Sequence, residues 1–221
     1  MIYTNELFDL SKSIAGRCLS GYRHPWEALP HIGEHILQLI KTLPDELFEK
    51  RGENIWIARS ANVYPKVTIA GPCIIDEAAE VRPGAFIRGN VLIGKHAVIG
   101  NSTELKNVIL FDGVQVPHYN YVGDSILGHR AHMGAGAITS NVKSDKSLVV
   151  IRNGNECAQT GLKKCGAMLG DYVEIGCNSV LNPGTVIGKG SQVYPLSSVR
   201  GVIPARHIYK NAQEIVQKRS E

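Results

Sequence analysis

Three side chains in the middle of the chain could do chemistry, and their spacing says of what kind. His118 stands in the string VPHYNYVGD; Arg88 and Lys106 each directly follow an aliphatic residue, Ile87 and Leu105, and lie 18 positions apart. An imidazole ordinarily titrates near 6.5, which suits a general base at neutral pH. Two cations held about 5 Å apart repel by roughly 3 kcal/mol at an effective dielectric of about 20. An anion such as a phosphate between them would turn that repulsion into binding. The pattern also suits two splayed, solvated side chains, and a single histidine in a strand is often structural or merely exposed. Ala135, in the string GAGAI, falls one repeat beyond His118 and leaves space beside an imidazole, with Tyr121 and Asn141 bordering that space.

These placements follow from a repeat. From Ile57 an aliphatic residue recurs every six positions: Ile57, Val63, Ile69, Ile75, Val81, Ile87, Ile93, Ile99, Leu105. The register slips by one to Leu110, Val116 and Val122, slips again to Leu127 and Met133, and a second run follows at Leu169, Ile175, Leu181, Ile187, Val193 and Val199. A six-residue period is that of a parallel β-helix. Each hexad is a short strand and a corner, three hexads make one coil, and the aliphatic residue points into the prism. Stacked coils lie about 4.8 Å apart, so Arg88 and Lys106 are expected to stack at one corner.

The repeat defines three segments: residues 1–53, expected to be helical and to cap the open first coil; the β-helix, 54–203; and 204–221, expected to form a short polar C-terminal helix. Glu6, Leu7, Leu10, Ile14 and then Ile32, Ile36, Ile40 fit a helical period, broken by Pro25 and Pro30. The hexads vanish over about 140–168. There a weakly alternating stretch, an Asn153-Gly154 turn and a second short strand predict an inserted hairpin. An excursion of this kind commonly lies over a functional site.

Composition narrows the functional classes. The net charge of +4 is mild and no Lys/Arg cluster interleaves with aromatics, so no nucleic-acid partner is expected. The five cysteines are scattered and form no C-x-x-C pair, which reads as free thiols in a reducing compartment, and hence as a cytoplasmic protein. No apolar run reaches 18 residues, so no membrane association is expected.

The strings IGNSTELKN, VPHYNYVGDSILG, MGAGAITSN and TGLKKCGAMLGDYVEIG followed by LNPGTVIGKGSQVYP carry a family resemblance over more than half of the chain. It resembles the C-terminal acetyltransferase domain of the bifunctional glucosamine-1-phosphate acetyltransferase/N-acetylglucosamine-1-phosphate uridyltransferases, especially the archaeal-type sugar-1-phosphate nucleotidylyltransferases. The resemblance implies a left-handed coil and acetyl-CoA-dependent N-acetyl transfer to an amino-sugar 1-phosphate, with His118 as general base. It implies Tyr121 and Asn141 at the sugar, Lys106 and Arg88 at the phosphate, and Lys146 as a further substrate contact. Ala135 would lie near the thioester and Cys177 against coenzyme A, in a homotrimer with sites between subunits. Arg82, in an RPGA string, fits the family motif more closely, but it lies one hexad earlier and so on another face. His132 stands near where the family has an asparagine, and the bacterial N-Y-D-G becomes Asn141-Val142-Lys143-Ser144. No L-x-x-G-x-G-T-[KR] loop opens the chain, so nucleotide transfer is not expected.

No metal is expected either. The paired zinc ligands of hexapeptide carbonic anhydrases stand five residues apart, whereas His129 and His132 are three apart. The string His31-Ile32-Gly33-Glu34-His35 matches H-x-x-E-H but lies in the N-terminal segment, without an evident third ligand. Two other functions remain open: a non-catalytic sugar-nucleotide-binding scaffold, and acyl transfer to a different amine.

Overall fold

The computed structural model describes residues 2–219. The core is a parallel β-helix with three faces, built on the positions of the hexad pattern. Face 1 stacks Ile57, Ile75, Ile93, Leu110, Leu127, Leu169, Ile187 and Ile203. Face 2 stacks Val63, Val81, Ile99, Val116, Met133, Ile175, Val193 and Tyr209. Face 3 stacks Ile69, Ile87, Leu105, Val122, Thr139, Leu181 and Val199. Most of these side chains are fully buried, as alternation along each strand requires.

Both register slips fall at the corner between faces 3 and 1. In the preceding coils that corner takes two residues, as at Gly89-Asn90, both with positive φ. In the strands Glu104–Leu110 and Tyr121–Leu127 it takes one, Asn107 (φ 55°) and Asp124 (φ 47°). Asn and Asp tolerate the left-handed region better than other non-glycine residues. A single such residue turns the chain and shortens two coils to 17 residues.

The inward column of face 3 contains one polar member the hexads did not reveal. Thr139 is the last residue before the excursion, so the backbone around Gly123 lacks a neighbour on the next coil. Thr139 Oγ1 accepts from Gly123 N (2.9 Å), and Ser125 Oγ donates to Gly123 O (2.7 Å). Two buried hydroxyls thus satisfy backbone groups that the interrupted ladder leaves open.

The N-terminal segment departs from expectation in two ways. It contains the helices Thr4–Leu7 and Ile32–Ile40, with 3-10 turns between them, but residues Phe48–Gly52 form a strand, antiparallel to Ile55–Ala58. That strand covers the edge of the first coil. The helical part lies along face 1 instead of across the coil end, over strands Cys73–Ile75, Val91–Ile93 and Glu104–Leu110. The reason is legible in those strands and in Tyr121–Leu127, where Ile74, Leu92, Ile109 and Ile126 point outward and are fully buried. Phe8 stacks on Phe111 at 5.4 Å. Asp171 fastens the arm, accepting from Asp9 N (2.8 Å), and is itself ion-paired with Lys189 Nζ (3.2 Å).

The C-terminal helix is corrected outright. Residues His207–Asn211 and Glu214–Gln217 form an antiparallel hairpin, and 220–221 lie outside the described residues. Gln192 and Val193 pair with Ile208 and Tyr209, and Tyr209 fills the last inward position of face 2. The open edge of the last coil is a strand template, and it outweighs the segment's local propensity.

The predicted hairpin is present, as Val150–Asn153 paired with Glu156–Gln159. It does not cover the His118 corner. Val149 and Ile151 pack where a Cβ on Gly184 would meet them at 2.8 and 3.2 Å, on the corner between faces 3 and 1.

Candidate functional site

His118 ends the strand Gln115–His118 at the corner between faces 2 and 3, with its side chain exposed. Gln115 pairs with His132, and Gly136 N–H donates to His118 O at 3.0 Å, which sets Ala135 beside His118 one coil on. Asn178 N–H donates to Ala135 O at 2.8 Å and puts Cys177 on the coil beyond. The expected placement of Ala135 beside His118 is therefore present, and Cys177 extends that column by one coil. Gly134 N–H is taken by Ile175 O (2.7 Å) and Gly136 N–H by His118 O. Among the described residues Ala135 N–H has no acceptor. Cys177 Sγ lies over Gly134, where an added Cβ would meet it at 2.9 Å. Both border an open groove of about 280 Å³ that reaches His132, Tyr194 and Pro195.

Asn120, which the sequence reading passed over, holds this corner. It is buried; its Oδ1 accepts from His118 N–H (3.1 Å), and its Nδ2 donates to Gly134 O and Ala137 O, both at 2.9 Å. One amide thereby ties the His118 coil to the Ala135 coil. Tyr119, next to His118, has φ 52° and is 64% exposed, and Leu196, at the same corner, has φ 58° and is 81% exposed.

On face 3, Glu104 and Leu105 pair with Phe86 and Ile87, so Arg88 and Lys106 do share a column. They are not bare cations. Arg88 Nη1 pairs with Glu104 Oε1 at 2.5 Å, and Lys106 Nζ lies 3.0 and 3.3 Å from the two oxygens of Asp124. The expected repulsion is cancelled within the protein, two charges against two, and an anion binding here would be an additional partner of each cation. The signal was in the strings themselves: Glu104 stands two residues before Lys106, and Asp124 closes VPHYNYVGD. Arg82 pairs with Glu80 at 3.0 Å beside face 2, away from the Lys106 column.

Lys106 pairs across the coils with Gly123, which has no side chain to fill the column. Tyr121 and Asn141 lean into the space, since a Cβ on Gly123 would lie 2.5 Å from the Tyr121 hydroxyl and 2.9 Å from Asn141 Nδ2. Asn141 Nδ2 donates to the Tyr121 hydroxyl (3.2 Å) and to Asp124 Oδ2. Burial first, then the nearby Asp124 carboxylate, pushes the Tyr121 phenol above its ordinary range, so it stays a neutral donor and acceptor. Lys146 is not brought into this cluster. It is exposed, in a turn closed by its N–H on Lys143 O (3.0 Å).

The other histidines weighed as ligands face other partners. His132 Nδ1 lies 2.7 Å from Glu174 Oε2 and contributes to the groove wall, while His129 packs edge-on to Tyr172. His31 meets Glu34 at 3.3 Å and His35 meets the Tyr22 hydroxyl at 2.9 Å. Among the described residues no group of three or more His, Cys, Asp or Glu side chains is arranged to hold a metal ion, and no helix is long and apolar enough to cross a membrane.

Comparison with known proteins gives a consistent assignment. The profile of the GMPPB C-terminal domain family matches residues 69–214. The Bifunctional protein GlmU of Methanococcus aeolicus is 32% identical over 239 residues, covering 97% of this chain and 54% of the relative, so the chain spans about half of that protein's length. The Bifunctional sugar-1-phosphate nucleotidylyltransferase/acetyltransferase of Sulfurisphaera tokodaii is 33% identical over 152 residues, covering 61% of this chain and 38% of that one. Among solved structures, the acetyltransferase domain of PglB from Neisseria gonorrhoeae superposes with a TM-score of 0.35 at 15% identity, covering 80% of this chain and 62% of its own.

Proposed function

The chain belongs to the GMPPB C-terminal domain family, and on that premise we propose that it transfers the acetyl group of acetyl-CoA to the amine of an amino-sugar 1-phosphate. The observation that carries the reading is the His118 corner: an exposed imidazole with an unused Ala135 N–H one coil away. The substrate amine attacks the thioester carbonyl carbon, His118 takes the proton that nitrogen loses, and the C–S bond breaks as the protonated His118 gives that proton to the departing sulfur, so that coenzyme A leaves as its thiol. Ala135 N–H donates to the oxyanion of the tetrahedral intermediate, a role for which a preoriented, unengaged donor is required. No covalent enzyme intermediate is needed, because holding the two substrates together at one corner supplies much of the rate. The groove beside Cys177 and Gly134 receives the pantetheine arm. Lys106 and Arg88 bind the phosphate, and Tyr121 and Asn141 the sugar.

The chain acts as a homotrimer in this reading, with sites between subunits. The exposed Tyr119 and Leu196 at the same corner suit burial against a second copy. The five free thiols suit the reducing cytoplasm.

The reading is tested by incubating the protein with acetyl-CoA and a panel of amines, following thiol release: glucosamine 1-phosphate, galactosamine 1-phosphate, free glucosamine and a uridine-diphosphate amino sugar. The 1-phosphates should be acetylated at least tenfold more efficiently than free glucosamine. Equal efficiency would remove the phosphate site from the account, and no release with any amine would remove acetyl transfer.

A further inference from the structure

Three successive coils of face 3 converge on one carboxylate, Asp124, which sits at the single-residue corner created by the second register slip. Its side chain is 5% exposed. Oδ1 accepts from Lys106 Nζ and Asn107 Nδ2, both at 3.0 Å, and Oδ2 accepts from Lys106 Nζ at 3.3 Å and from Asn141 Nδ2. Lys106 and Asn107 belong to the preceding coil and Asn141 to the following one. Asn107 Nδ2 reaches on to Leu29 O (3.1 Å) in the N-terminal arm, and Asn141 Nδ2 to the Tyr121 hydroxyl.

Such a convergence does more than close a corner. The corner itself needs only a residue tolerant of φ 47° and the carbonyl of Asp124 as acceptor for Gly166 N–H (2.7 Å); an asparagine supplies both. What asparagine cannot supply is a second acceptor oxygen and the negative charge. Those two properties are the ones used by Lys106 and Asn141, which both stand beside Gly123. A lysine ammonium has three donors. With the carboxylate holding it at two similar distances, the ammonium has a fixed place beside Gly123 and stays partly exposed.

We infer that Asp124 is a positioning residue for the acceptor: it fixes Lys106 Nζ directly, and the Tyr121 hydroxyl through Asn141, so that both present to the substrate over Gly123, whose missing side chain leaves room for the Tyr121 hydroxyl and the Asn141 amide. The inference rests on the proposed acetyl transfer for the identity of the acceptor, while the fixing of Lys106 stands on geometry alone. Because Asp124 does not line the groove beside Gly134 and Cys177, its loss separates the two substrates.

The test is Asp124→Asn, assayed with glucosamine 1-phosphate and acetyl-CoA varied separately. The expected result is an acceptor KM raised at least tenfold, an acetyl-CoA KM changed less than about twofold, and a melting temperature within a few degrees of the parent. An unchanged or lowered acceptor KM overturns the inference, and so does a loss of activity that affects both KM values alike and follows a fall in melting temperature. A second measurement does not depend on turnover. Trace labelling of amines with acetic anhydride, resolved by mass spectrometry, should modify Lys106 at least fivefold faster in Asp124→Asn than in the parent, with exposed Lys163 as internal reference. Equal rates overturn the fixing of Lys106. A parent protein inactive on the whole acceptor panel removes the proposed reaction and leaves the labelling result to decide on Asp124.

Discussion

Replacing Gly123 by alanine should damage the acceptor site while sparing the fold. Gly123 has no positive φ that would make an L-residue strained, so the backbone accepts alanine and even gains from a less flexible unfolded chain, by about 0.4–1 kcal/mol. The new Cβ is the problem. It would lie 2.5 Å from the Tyr121 hydroxyl, 2.8 Å from its Cζ and 2.9 Å from Asn141 Nδ2, whereas an ordinary contact is about 3.5–4 Å. The ring and the amide are side-chain ends that can swing away, by roughly 1 Å, and in doing so they part the Asn141–Tyr121 hydrogen bond. Losing one such bond costs about 0.5–1.5 kcal/mol, and a 1 Å displacement of a positioning group costs on the order of a hundredfold. Steady-state kinetics on Gly123→Ala should therefore give an acceptor kcat/KM reduced by roughly ten- to a hundredfold, with the acetyl-CoA KM and the urea midpoint close to the parent. Unchanged acceptor kinetics would mean that the Tyr121–Asn141 pair over Gly123 does not set the acceptor site, and a sharp loss of stability would mean that Gly123 is a packing position.

Two further outcomes follow from titratable groups outside the reaction. Asp76 is buried, and desolvation, the largest influence, raises its carboxyl above the usual range despite the Glu77 N–H it accepts at 2.7 Å. An acid raised in the fold contributes stability below its unfolded pKa, near 3.9, and loses it as pH climbs through the folded value. Asp76→Asn keeps the acceptor oxygen and cannot ionise, so urea unfolding should find it more stable than the parent at pH 7, with the advantage shrinking toward pH 4; an advantage that grows toward pH 4 would refute the sign. Burial pushes the thiols of Cys18, Cys73 and Cys165 up to about 12, whereas Cys157 and Cys177 are exposed. A maleimide at pH 7.5 should modify only the exposed pair, since the thiolate is the nucleophile, and acetyl-CoA should slow Cys177 but not Cys157. Equal protection of both would argue against the groove.

The prism was legible because its inward positions are set by a period, and every aliphatic position from Ile57 to Leu105 lies where that period puts it. The slips at Leu110 and Leu127 were visible as arithmetic, yet their meaning was not. Each marks a corner reduced to one residue, and those residues, Asn107 and Asp124, hold the site. Thr139 was hidden because a threonine replaces the expected aliphatic where the excursion breaks the ladder. The carboxylate partners of Arg88 and Lys106 were missed because the repeat predicts which residues share a column but not where long side chains turn. The C-terminal hairpin and the strand at 48–52 were misread for a common reason. Both complete the ends of a stack, and an edge strand takes its conformation from its neighbour more than from its own composition. The arm over face 1 had a signal that was present and unused, the outward Ile74, Leu92 and Ile109.

The most direct test of the central claim is the turnover of His118→Ala with acetyl-CoA and glucosamine 1-phosphate at saturating concentrations. The imidazole is exposed and its coil is held through backbone and Asn120 contacts that alanine leaves in place, so the variant should fold and bind both substrates while turning over at least a hundredfold more slowly. Turnover equal to the parent's would contradict the account.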